Sequence, residues 1–231
     1  MFVSAIVVAA GKSKRFKSAS SKVLFKINSQ PIIVYSLDVL NGQPEIKEII
    51  VVVNPQNIKS VSGIIKKNKF HKAVKLVLGG KERQDSVARG LKAIDPKANF
   101  VLIHDAARPF ITNGLVALVI KEAQKSKAAI LGVPVRATIK KCKARGKGRV
   151  VKETIDRKNV WEIQTPQVFA KNLILKAYRD FGGIGVTDDA SLVEKSGKKV
   201  KMVMGAYHNI KITSPEDLII AKGIARLWKP A

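Results

Sequence analysis

Cysteine is almost absent from this chain, whose 231 residues include only Cys142. A lone cysteine cannot close a disulfide within the chain, so a disulfide-stapled secreted scaffold is excluded and a reducing cytosol is favoured. No apolar run approaches the roughly 18 residues that a membrane-spanning helix needs. No basic residue precedes the first apolar run, as one would in a secretory signal. We therefore expect a cytoplasmic protein without a membrane partner.

Acidic residues are also scarce: 17 Asp and Glu face 43 Lys and Arg, which gives a formal net charge of +26. Such a field attracts polyanions, either nucleic acid or phosphorylated small molecules. The basic residues are scattered, with local runs at 140–149 and 198–199, and no aromatic-rich RNA-binding motif accompanies them. A specific nucleic acid is therefore not expected, and most of the excess charge is interpreted as a solvated lysine-rich surface.

Aromatic residues make up only 6% of the chain and hydrophobic residues 46%, so aliphatic side chains must build most of the core. Apolar runs typical of buried strands alternate with helical patterns. The predicted strands are 5–10, 48–53, 75–78, 99–104, 128–133 and 200–204. This alternation predicts an α/β fold with a mostly parallel, Rossmann-like sheet flanked by helices on both faces. The whole chain, 1–231, is expected to form a single domain.

The alternation breaks after Val133, where two β-rich stretches at 134–140 and 150–155 flank a charged loop that contains glycine. This pattern predicts a β-hairpin arm at about 135–156, with its loop at 143–149. An isolated two-stranded hairpin is barely stable in water, so the arm is expected to pack against another surface.

The first predicted strand runs directly into Gly11 and then into Lys12, Lys14 and Arg15. Glycine lets the backbone approach a bound group closely, and free N–H groups beside basic side chains suit a polyphosphate. Neither a Walker A loop nor a dinucleotide fingerprint is present, because other residues occupy the positions of the required glycines. From the residues alone, a buried strand followed by a solvated basic turn is an equally good interpretation.

Asp105 directly follows the predicted strand 99–104. A carboxylate at the tip of a buried parallel strand lies where open α/β sheets bind ligands, and Mg²⁺ prefers such oxygen ligands. The pair Gly79-Gly80 precedes a predicted helix and again permits close approach of the backbone to a ligand. The alternatives are that Asp105 caps the next turn with Arg108 as its ion-pair partner, and that the glycine turn binds nothing.

Six motifs occur in order along the chain. They are Ala9-Ala10-Gly11-x-x-x-Arg15, His104-Asp105-Ala106-Ala107-Arg108-Pro109, Thr154-Ile155-Asp156-Arg157, Gln164-Thr165-Pro166-Gln167, Thr187-Asp188-Asp189-Ala190-Ser191 and Asn209-Ile210-Lys211-Ile212-Thr213. The first resembles the opening of the sugar-nucleotide transferase superfamily. Together they resemble the 2-C-methyl-D-erythritol 4-phosphate cytidylyltransferase family of the non-mevalonate isoprenoid pathway, and the resemblance covers nearly the whole chain.

The resemblance implies a nucleotidyltransferase that moves a cytidylyl group from CTP to 2-C-methyl-D-erythritol 4-phosphate, releasing pyrophosphate and forming 4-diphosphocytidyl-2-C-methyl-D-erythritol. The pair Ala106-Ala107 separates the chain from ribitol 5-phosphate cytidylyltransferases, whose equivalent stretch usually reads Asp-Ser-Val-Arg. Two alternatives stay open: a cytidylyltransferase for another polyol phosphate, and a basic nucleic-acid-binding protein on a degenerate transferase scaffold.

The same resemblance implies roles for individual residues. Arg15, Lys22 and Lys211 are the implied catalytic residues; the first two hold the triphosphate and stabilise developing charge, and Lys211 lies between the substrates. The implied CTP-binding residues are Ala9, Ala10, Gly11, Lys14, Gly80, Lys81, Ser86 and Ala106. The implied acceptor-binding residues are Arg108, Thr138, Arg157 and Thr165, and Asp105 is the implied ligand of Mg²⁺ or another divalent cation.

The chain departs from the family's pattern at Ser21, Val23, Ala137 and His208. Relatives commonly carry an acid near the metal where His208 stands, so Asp105 is left as the one expected protein ligand. The resemblance also implies a homodimer joined through the arm, in which Arg157 and Thr165 reach into the partner's site.

Overall fold

Strands and helices alternate along most of the chain, and the computed structural model describes residues 1–11, 13, 16, 21–146 and 148–227. The strands are β1 (Val3–Val8), β2 (Lys26–Ile27), β3 (Gln30–Pro31), β4 (Ile46–Val53), β5 (Ala73–Leu78), β6 (Phe100–Asp105), β7 (Ala128–Pro134), β8 (Ile139–Arg145), β9 (Gly148–Ile155), β10 (Trp161–Ala170) and β11 (Lys201–Met204). The helices are α1 (Ile32–Gly42), α2 (Ile58–Asn68), α3 (Arg83–Lys92), α4 (Asn113–Ser126), α5 (Lys171–Phe181), α6 (Ala190–Lys195) and α7 (Pro215–Leu227). A 3-10 turn spans Lys22–Leu24.

A seven-stranded sheet has the order β11-β7-β10-β6-β1-β4-β5. Its pairs are parallel except that β10 runs antiparallel to both β6 and β7. The carboxyl ends of β1, β5 and β6 therefore meet at one edge, which is where the candidate site lies. The predicted mostly parallel α/β fold is confirmed.

The apolar character of β1 explains its place inside the sheet. Val7 is fully buried in the core on one face and Ile6 in the core on the other. Helices α1, α2 and α4 contribute to the Val7 core, whereas α3, α5 and α6 contribute to the Ile6 core. Helix α7 packs through Ala221 and Ala225 on a third, smaller cluster with Phe110. Both faces of the sheet are thus covered by helices, as predicted.

Strand β10 was not predicted from the sequence. Its residues 164–167 were expected only to precede a helix from Lys171, and that helix is confirmed as α5. The strand carries Gln164, Thr165 and Pro166 in its middle, so it lacks the continuous apolar run of the other strands. Its pairing with β7 shifts register between Ile163 and Gln167, which lets polar residues enter the sheet at this point.

The arm is a two-stranded ribbon of β8 and β9, and it pairs with no other strand in the part of the chain that the structure describes. Strand β8 continues to Arg145 and β9 begins at Gly148, so the turn is much shorter than the predicted loop 143–149. Between Lys140 and Thr154 every described residue of the ribbon is exposed. The predicted β-arm is confirmed, and its flat sides are free within one described chain.

None of the described helices combines the length and the apolar character that a bilayer crossing requires.

Candidate active site

Two cavities open side by side at the carboxyl edge of the parallel strands. The first, of about 390 Å³, is lined by Val8, Ala9, Ala10, Gly11, Ser13, Lys22, Val23, Gly80, Lys81, Glu82, Arg83, Ser86, Asp105, Ala107, Lys211 and Thr213. The second, of about 380 Å³, is lined by residues of several elements, among them four from β10 and two from the segment before α6. Three charged side chains, Arg83, Asp105 and Lys211, line both cavities. A ligand in one cavity therefore meets the same charged groups as a ligand in the other.

The loop after β1 is fixed by two asparagines. Asn57 donates its side-chain N–H to the Ala9 carbonyl at 2.9 Å, and Asn54 donates to the Ala10 carbonyl at 3.2 Å. Because these carbonyls are held by protein donors, they turn away from the ligand space. Gly11 completes the loop as part of the cavity wall. The predicted Lys14 and Arg15 lie outside the described residues.

Lys22 lines the first cavity from the 3-10 turn, as predicted. Its backbone N–H donates to Ser13 Oγ at 3.0 Å. The neighbouring Ser21, one of the departures from the family's pattern, accepts a hydrogen bond from Asn57 Nδ2 at 3.1 Å. The same asparagine therefore anchors both the Ala9 loop and the segment that carries Lys22, so the serine is held in place by a side-chain contact.

The glycine turn after β5 forms the opposite wall. Gly80 donates its N–H to Ser86 Oγ at 3.2 Å, and the Ser86 hydroxyl donates to the Glu82 carbonyl at 3.0 Å. Lys81 is exposed at the rim of the cavity. Ala106 is fully buried and does not line the cavity, whereas its neighbour Ala107 does. The predicted residues Gly80, Lys81 and Ser86 are thus brought together at this wall.

Asp105 is the charged centre of the site and is only 6% exposed. One carboxylate oxygen accepts from Arg83 Nε at 3.1 Å, and the other accepts from Lys211 Nζ at 2.5 Å. Burial alone would raise the pKa of the Asp105 carboxyl, but the charges of Arg83 and Lys211 hold that pKa well below its usual range. Asp105 is therefore a carboxylate at any pH near neutrality.

Arg83 was missed by the sequence analysis. It begins α3, where a cation opposes the helix dipole and so needs carboxylate partners. Its guanidinium bridges Asp105 and Asp189, with Nη2 lying 2.7 Å from Asp189 Oδ2. Burial opposes its charge, but the two carboxylates outweigh burial and raise the pKa of Arg83. An arginine at the start of a helix directly after a glycine turn was the signal that could have identified it.

Asp189 stands at the N-terminus of α6, but its carboxylate is turned away from the helix. Its side chain makes no capping hydrogen bond; it accepts from Arg83 and from the Tyr178 hydroxyl, the latter at 2.5 Å. Burial and the charge of Asp189 raise the pKa of Tyr178, so its hydroxyl remains a donor. The capping contact comes from Asp188 instead, which accepts from the Ser191 N–H at 3.2 Å.

Arg108 and Thr165 line the second cavity. The Arg108 Nη groups donate to the carbonyls of Asn209 and Ile163 at 2.7 and 3.1 Å. Its Nε has no hydrogen-bond partner among the described residues, and none of the ion pairs formed by those residues includes it. Burial lowers the pKa of Arg108, yet the side chain retains its charge.

Thr165 is held by a buried histidine. Thr165 Oγ1 accepts from the Asp105 N–H at 3.0 Å and lies 3.1 Å from His104 Nδ1. His104 Nε2 lies 3.2 Å from the Arg108 carbonyl, which can only accept, so Nε2 carries the proton and Nδ1 accepts from the Thr165 hydroxyl. Burial lowers the pKa of His104 to about 4, which keeps the ring neutral at pH 7.

Thr165 lies beside Asp105 of its own chain and lines the second cavity there. The other two predicted acceptor residues, Thr138 and Arg157, are exposed at the base of the arm and line neither cavity. Arg157 donates there to the Arg136 carbonyl.

Asp105 fits a divalent cation that arrives with phosphate ligands. The described residues contain no group of three or more His, Cys, Asp or Glu side chains that could hold a metal by themselves. Mg²⁺ does not need such a group, because it is commonly bound through one or two carboxylates together with water and substrate phosphates. His208 lines neither cavity, and burial lowers its pKa. The residues present thus suit a metal shared with a nucleotide.

Comparisons with known proteins give a consistent result. The family model described as IspD, 2-C-methyl-D-erythritol 4-phosphate cytidylyltransferase, matches residues 3–226. The enzyme of that name from Caldanaerobacter subterraneus subsp. tengcongensis is 44% identical over 226 residues, which cover 96% of this chain and 98% of the relative. A crystal structure of 4-diphosphocytidyl-2C-methyl-D-erythritol synthase from Anaerococcus prevotii is 34% identical, with a TM-score of 0.85 over 97% of this chain and 98% of that one. A crystal structure of the cytidylyltransferase from Thermus thermophilus is 31% identical, with a TM-score of 0.78 over 98% and 100% of the two chains.

Proposed function

The chain belongs to the 2-C-methyl-D-erythritol 4-phosphate cytidylyltransferase family, and we propose that its two cavities bring the two substrates of that reaction together at Asp105. The enzyme transfers a cytidylyl group from CTP to 2-C-methyl-D-erythritol 4-phosphate, releases pyrophosphate and forms 4-diphosphocytidyl-2-C-methyl-D-erythritol. This proposal rests on one observation: Arg83, Asp105 and Lys211 line both cavities.

CTP occupies the first cavity. The Ala9–Gly11 loop and the Gly80 turn present their backbones to the nucleotide. Ser86 lines the cavity beside the Gly80 turn, whose N–H it accepts. Lys22 reaches the triphosphate from the 3-10 turn. Lys14 and Arg15, which lie outside the described residues, keep their expected role at the triphosphate as part of this proposal.

The acceptor phosphate occupies the second cavity. Arg108 lines this cavity and offers a positive charge that no carboxylate of the described residues neutralises by direct contact, which suits a phosphate. Thr165 stands beside it and is oriented by His104. The acceptor phosphate then meets the nucleotide where the cavities join, next to Lys211.

The reaction is a direct displacement. An oxygen of the acceptor phosphate attacks the α-phosphorus of CTP, the bond from that phosphorus to the bridging oxygen breaks, and pyrophosphate leaves. No side chain becomes covalently modified, so the protein contributes positioning and charge stabilisation. Lys211 lies between the two substrates and offsets their mutual repulsion, while Lys22 stabilises the negative charge that develops on the phosphates.

Mg²⁺ or another divalent cation is part of the proposal, with Asp105 as its protein ligand. Such an ion withdraws charge from phosphate oxygens when it is bound. Asp105 is kept ionised by its neighbours and is available for this purpose across the neutral pH range.

A homodimer is also part of the proposal. The arm has exposed sides, and Thr138 and Arg157 stand at its base away from the cavities of their own chain. In a symmetric dimer joined through the arm, these residues reach the partner's second cavity and bind the acceptor there. The expected cytoplasmic location stays a prediction.

The test is pyrophosphate release from CTP with three acceptors: 2-C-methyl-D-erythritol 4-phosphate, ribitol 5-phosphate and unphosphorylated 2-C-methyl-D-erythritol. We expect release with the first and little with the other two. The Arg108→Lys variant should raise KM for the acceptor and leave KM for CTP near its original value. Equal or faster turnover with ribitol 5-phosphate would contradict the assignment of 2-C-methyl-D-erythritol 4-phosphate as the acceptor. Absence of pyrophosphate release with every acceptor would contradict cytidylyl transfer itself.

A further inference from the structure

The second cavity has an apolar floor as well as charged side chains. The floor consists of Ile130 of β7, Ile163 of β10, Met202 of β11 and Val200 just before β11. These side chains pack in the Ile6 core, and all but Ile130 are only partly buried there. The acceptor contacts proposed above use polar side chains alone, so they leave the apolar floor without a part of the ligand.

Strand pairing brings the side chains of the apolar floor onto one face of the sheet. Met202 pairs with Ile130 in the parallel register of β11 and β7. Ile163 pairs with Gly132, which lies two residues after Ile130 along β7 and therefore on the same face. A Cβ on Gly132 would lie 2.7 Å from Met202 Sδ and 3.6 Å from Ile163 Cδ1. Met202 and Ile163 thus both lie over this glycine and form one apolar surface with Ile130.

The apolar floor begins beside the charge that we assign to the acceptor phosphate. Arg108 Nη2 donates to the Ile163 carbonyl at 3.1 Å, so the guanidinium contacts the backbone of a floor residue. Gln164 and Gln167 follow Ile163 along β10 and also line the cavity. The cavity therefore suits a ligand with an anionic group, hydrogen-bonding groups and one apolar part.

The acceptor has this composition, because it carries a phosphate at one end, hydroxyls along its chain and a methyl branch on its second carbon. We propose that the apolar floor receives the methyl branch, so that Met202 and Ile163 determine the selectivity for a branched acceptor. Burial of the branch against these side chains removes apolar surface from water, and an unbranched acceptor forgoes that gain. This inference rests on the proposed function, since it requires the acceptor to occupy the second cavity.

The first experiment compares kcat/KM for 2-C-methyl-D-erythritol 4-phosphate with kcat/KM for D-erythritol 4-phosphate, which lacks only the branch. The native protein should prefer the branched acceptor by about tenfold or more, the scale of one methyl group in an apolar pocket. Met202→Gln keeps the length of the side chain but ends in an amide. It should lower kcat/KM about tenfold for the branched acceptor and change it within about twofold for the unbranched one.

The matched control is Met204→Gln, two residues further along β11 and on the same face. Met204 is exposed and lines neither cavity, so this variant should keep the native preference for the branched acceptor. Thermal unfolding and the KM for CTP establish that each variant is folded and binds the nucleotide.

A larger branch separates a direct contact from a general loss of stability. Met202→Ala removes volume from the apolar floor and makes room for an ethyl group. The ratio of kcat/KM for 2-C-ethyl-D-erythritol 4-phosphate to that for the methyl compound should therefore rise about tenfold over the native ratio. A merely destabilised protein would lose activity with both acceptors and would not show this gain.

Equal kcat/KM for the branched and unbranched acceptors in the native protein would overturn the inference, as would an unchanged preference in Met202→Gln. The Arg108→Lys variant distinguishes this failure from failure of the proposed function. If Arg108→Lys raises the acceptor's KM while Met202→Gln keeps the preference, the acceptor occupies the second cavity and only this inference is wrong. If neither variant affects the acceptor, the assignment of the acceptor to the second cavity is wrong as well.

Discussion

Lys22 is the residue whose replacement we expect to lower turnover. It lines the CTP cavity, and the loss of one positioned charge donor typically lowers turnover by about two to three powers of ten. We therefore expect Lys22→Ala to reduce kcat by that amount and to leave the free energy of unfolding unchanged. Lys26→Ala is the matched control, because Lys26 is exposed four residues away and lines neither cavity. Near-original kcat in a folded Lys22→Ala protein would remove this lysine from the mechanism.

His104 makes stability depend on pH in a definite direction. Burial lowers its pKa to about 4 in the folded state, whereas an unfolded histidine titrates near 6.5. Between these values the unfolded chain binds more protons, so stability is complete above about pH 6.5 and falls as pH drops toward 4. The loss attributable to this residue is on the order of 3 kcal/mol at pH 4.

The measurement is the free energy of unfolding of the native protein and of His104→Gln between pH 7 and pH 4.5. The variant is expected to start less stable and to show a shallower decline with acid. His71→Gln, which removes an exposed histidine, should keep the original decline. Parallel curves for the native protein and His104→Gln would contradict the assignment.

Individual site residues differ in how far the sequence could predict them. Asp105 and Lys211 were predictable because each lies in one of the quoted motifs, and Lys22 was predictable from the family resemblance alone; all three line the first cavity. The ion pair between Arg83 and Asp189 was not, because it joins residues far apart in sequence; the glycine turn before Arg83 and the motif around Asp189 mark each residue but not their contact. Ala107 lines the cavity whereas the Ala106 side chain is buried in the core, and a role of Ala106 in binding CTP stays a prediction.

Among the elements, the turn between β5 and α3 leaves no room for a side chain. A Cβ on Gly79 would lie 2.5 Å from Ala10 Cβ and 2.7 Å from Ser86 Oγ, so both walls of the CTP cavity would have to move. Overpacking of this kind costs about 1–3 kcal/mol. We expect Gly79→Ala to raise KM for CTP by about tenfold and to leave the acceptor's KM less affected.

The control for this change is Gly63→Ala in α2, where the added Cβ would meet no described atom within 4 Å. That variant should keep both KM values and gain stability of up to about 1 kcal/mol from helix propensity. If Gly79→Ala binds CTP as well as Gly63→Ala does, the turn is not part of the nucleotide site.

Strands and helices could be predicted from the sequence where the apolar residues follow one regular spacing. The central strands are continuous apolar runs and the helices carry regular apolar faces, so their existence and order were recognisable. Strand β10 escaped because it inserts Gln164, Thr165 and Pro166 into the sheet where other strands carry valine and isoleucine. These polar residues include Gln164 and Thr165, which line the second cavity, and no local pattern distinguishes such a strand from a loop.

For the whole molecule, the proposed dimer predicts complementation between two inactive variants. Lys22→Ala and Arg157→Ala should each be nearly inactive alone. If Arg157 serves the partner's site, a mixed dimer has one site with both lesions and one with neither. Random re-pairing of equal amounts should restore about a quarter of the original activity, because half of the dimers are mixed.

The control is a mixture of Lys22→Ala with Asp105→Asn. Both residues line the same cavity of one chain, so every site in that mixture carries a lesion and activity should stay absent. Failure of the Lys22→Ala and Arg157→Ala mixture to recover, with re-pairing verified by mass spectrometry, would place Arg157 in its own chain's site or outside the mechanism.

The arm leaves and rejoins the sheet at a single point. Trp161 at the start of β10 pairs with Pro134 at the end of β7, and the Val135 N–H donates to the Val160 carbonyl at 3.0 Å just beyond them. Residues 135–160 therefore project from the antiparallel strands β7 and β10, which are already hydrogen-bonded to each other. Replacing these residues with a tight turn would leave every strand pairing of the seven-stranded sheet intact. In the proposed dimer, subunit recognition therefore resides in a detachable segment, so lineages or designers could exchange one pairing partner for another without rebuilding the seven-stranded sheet.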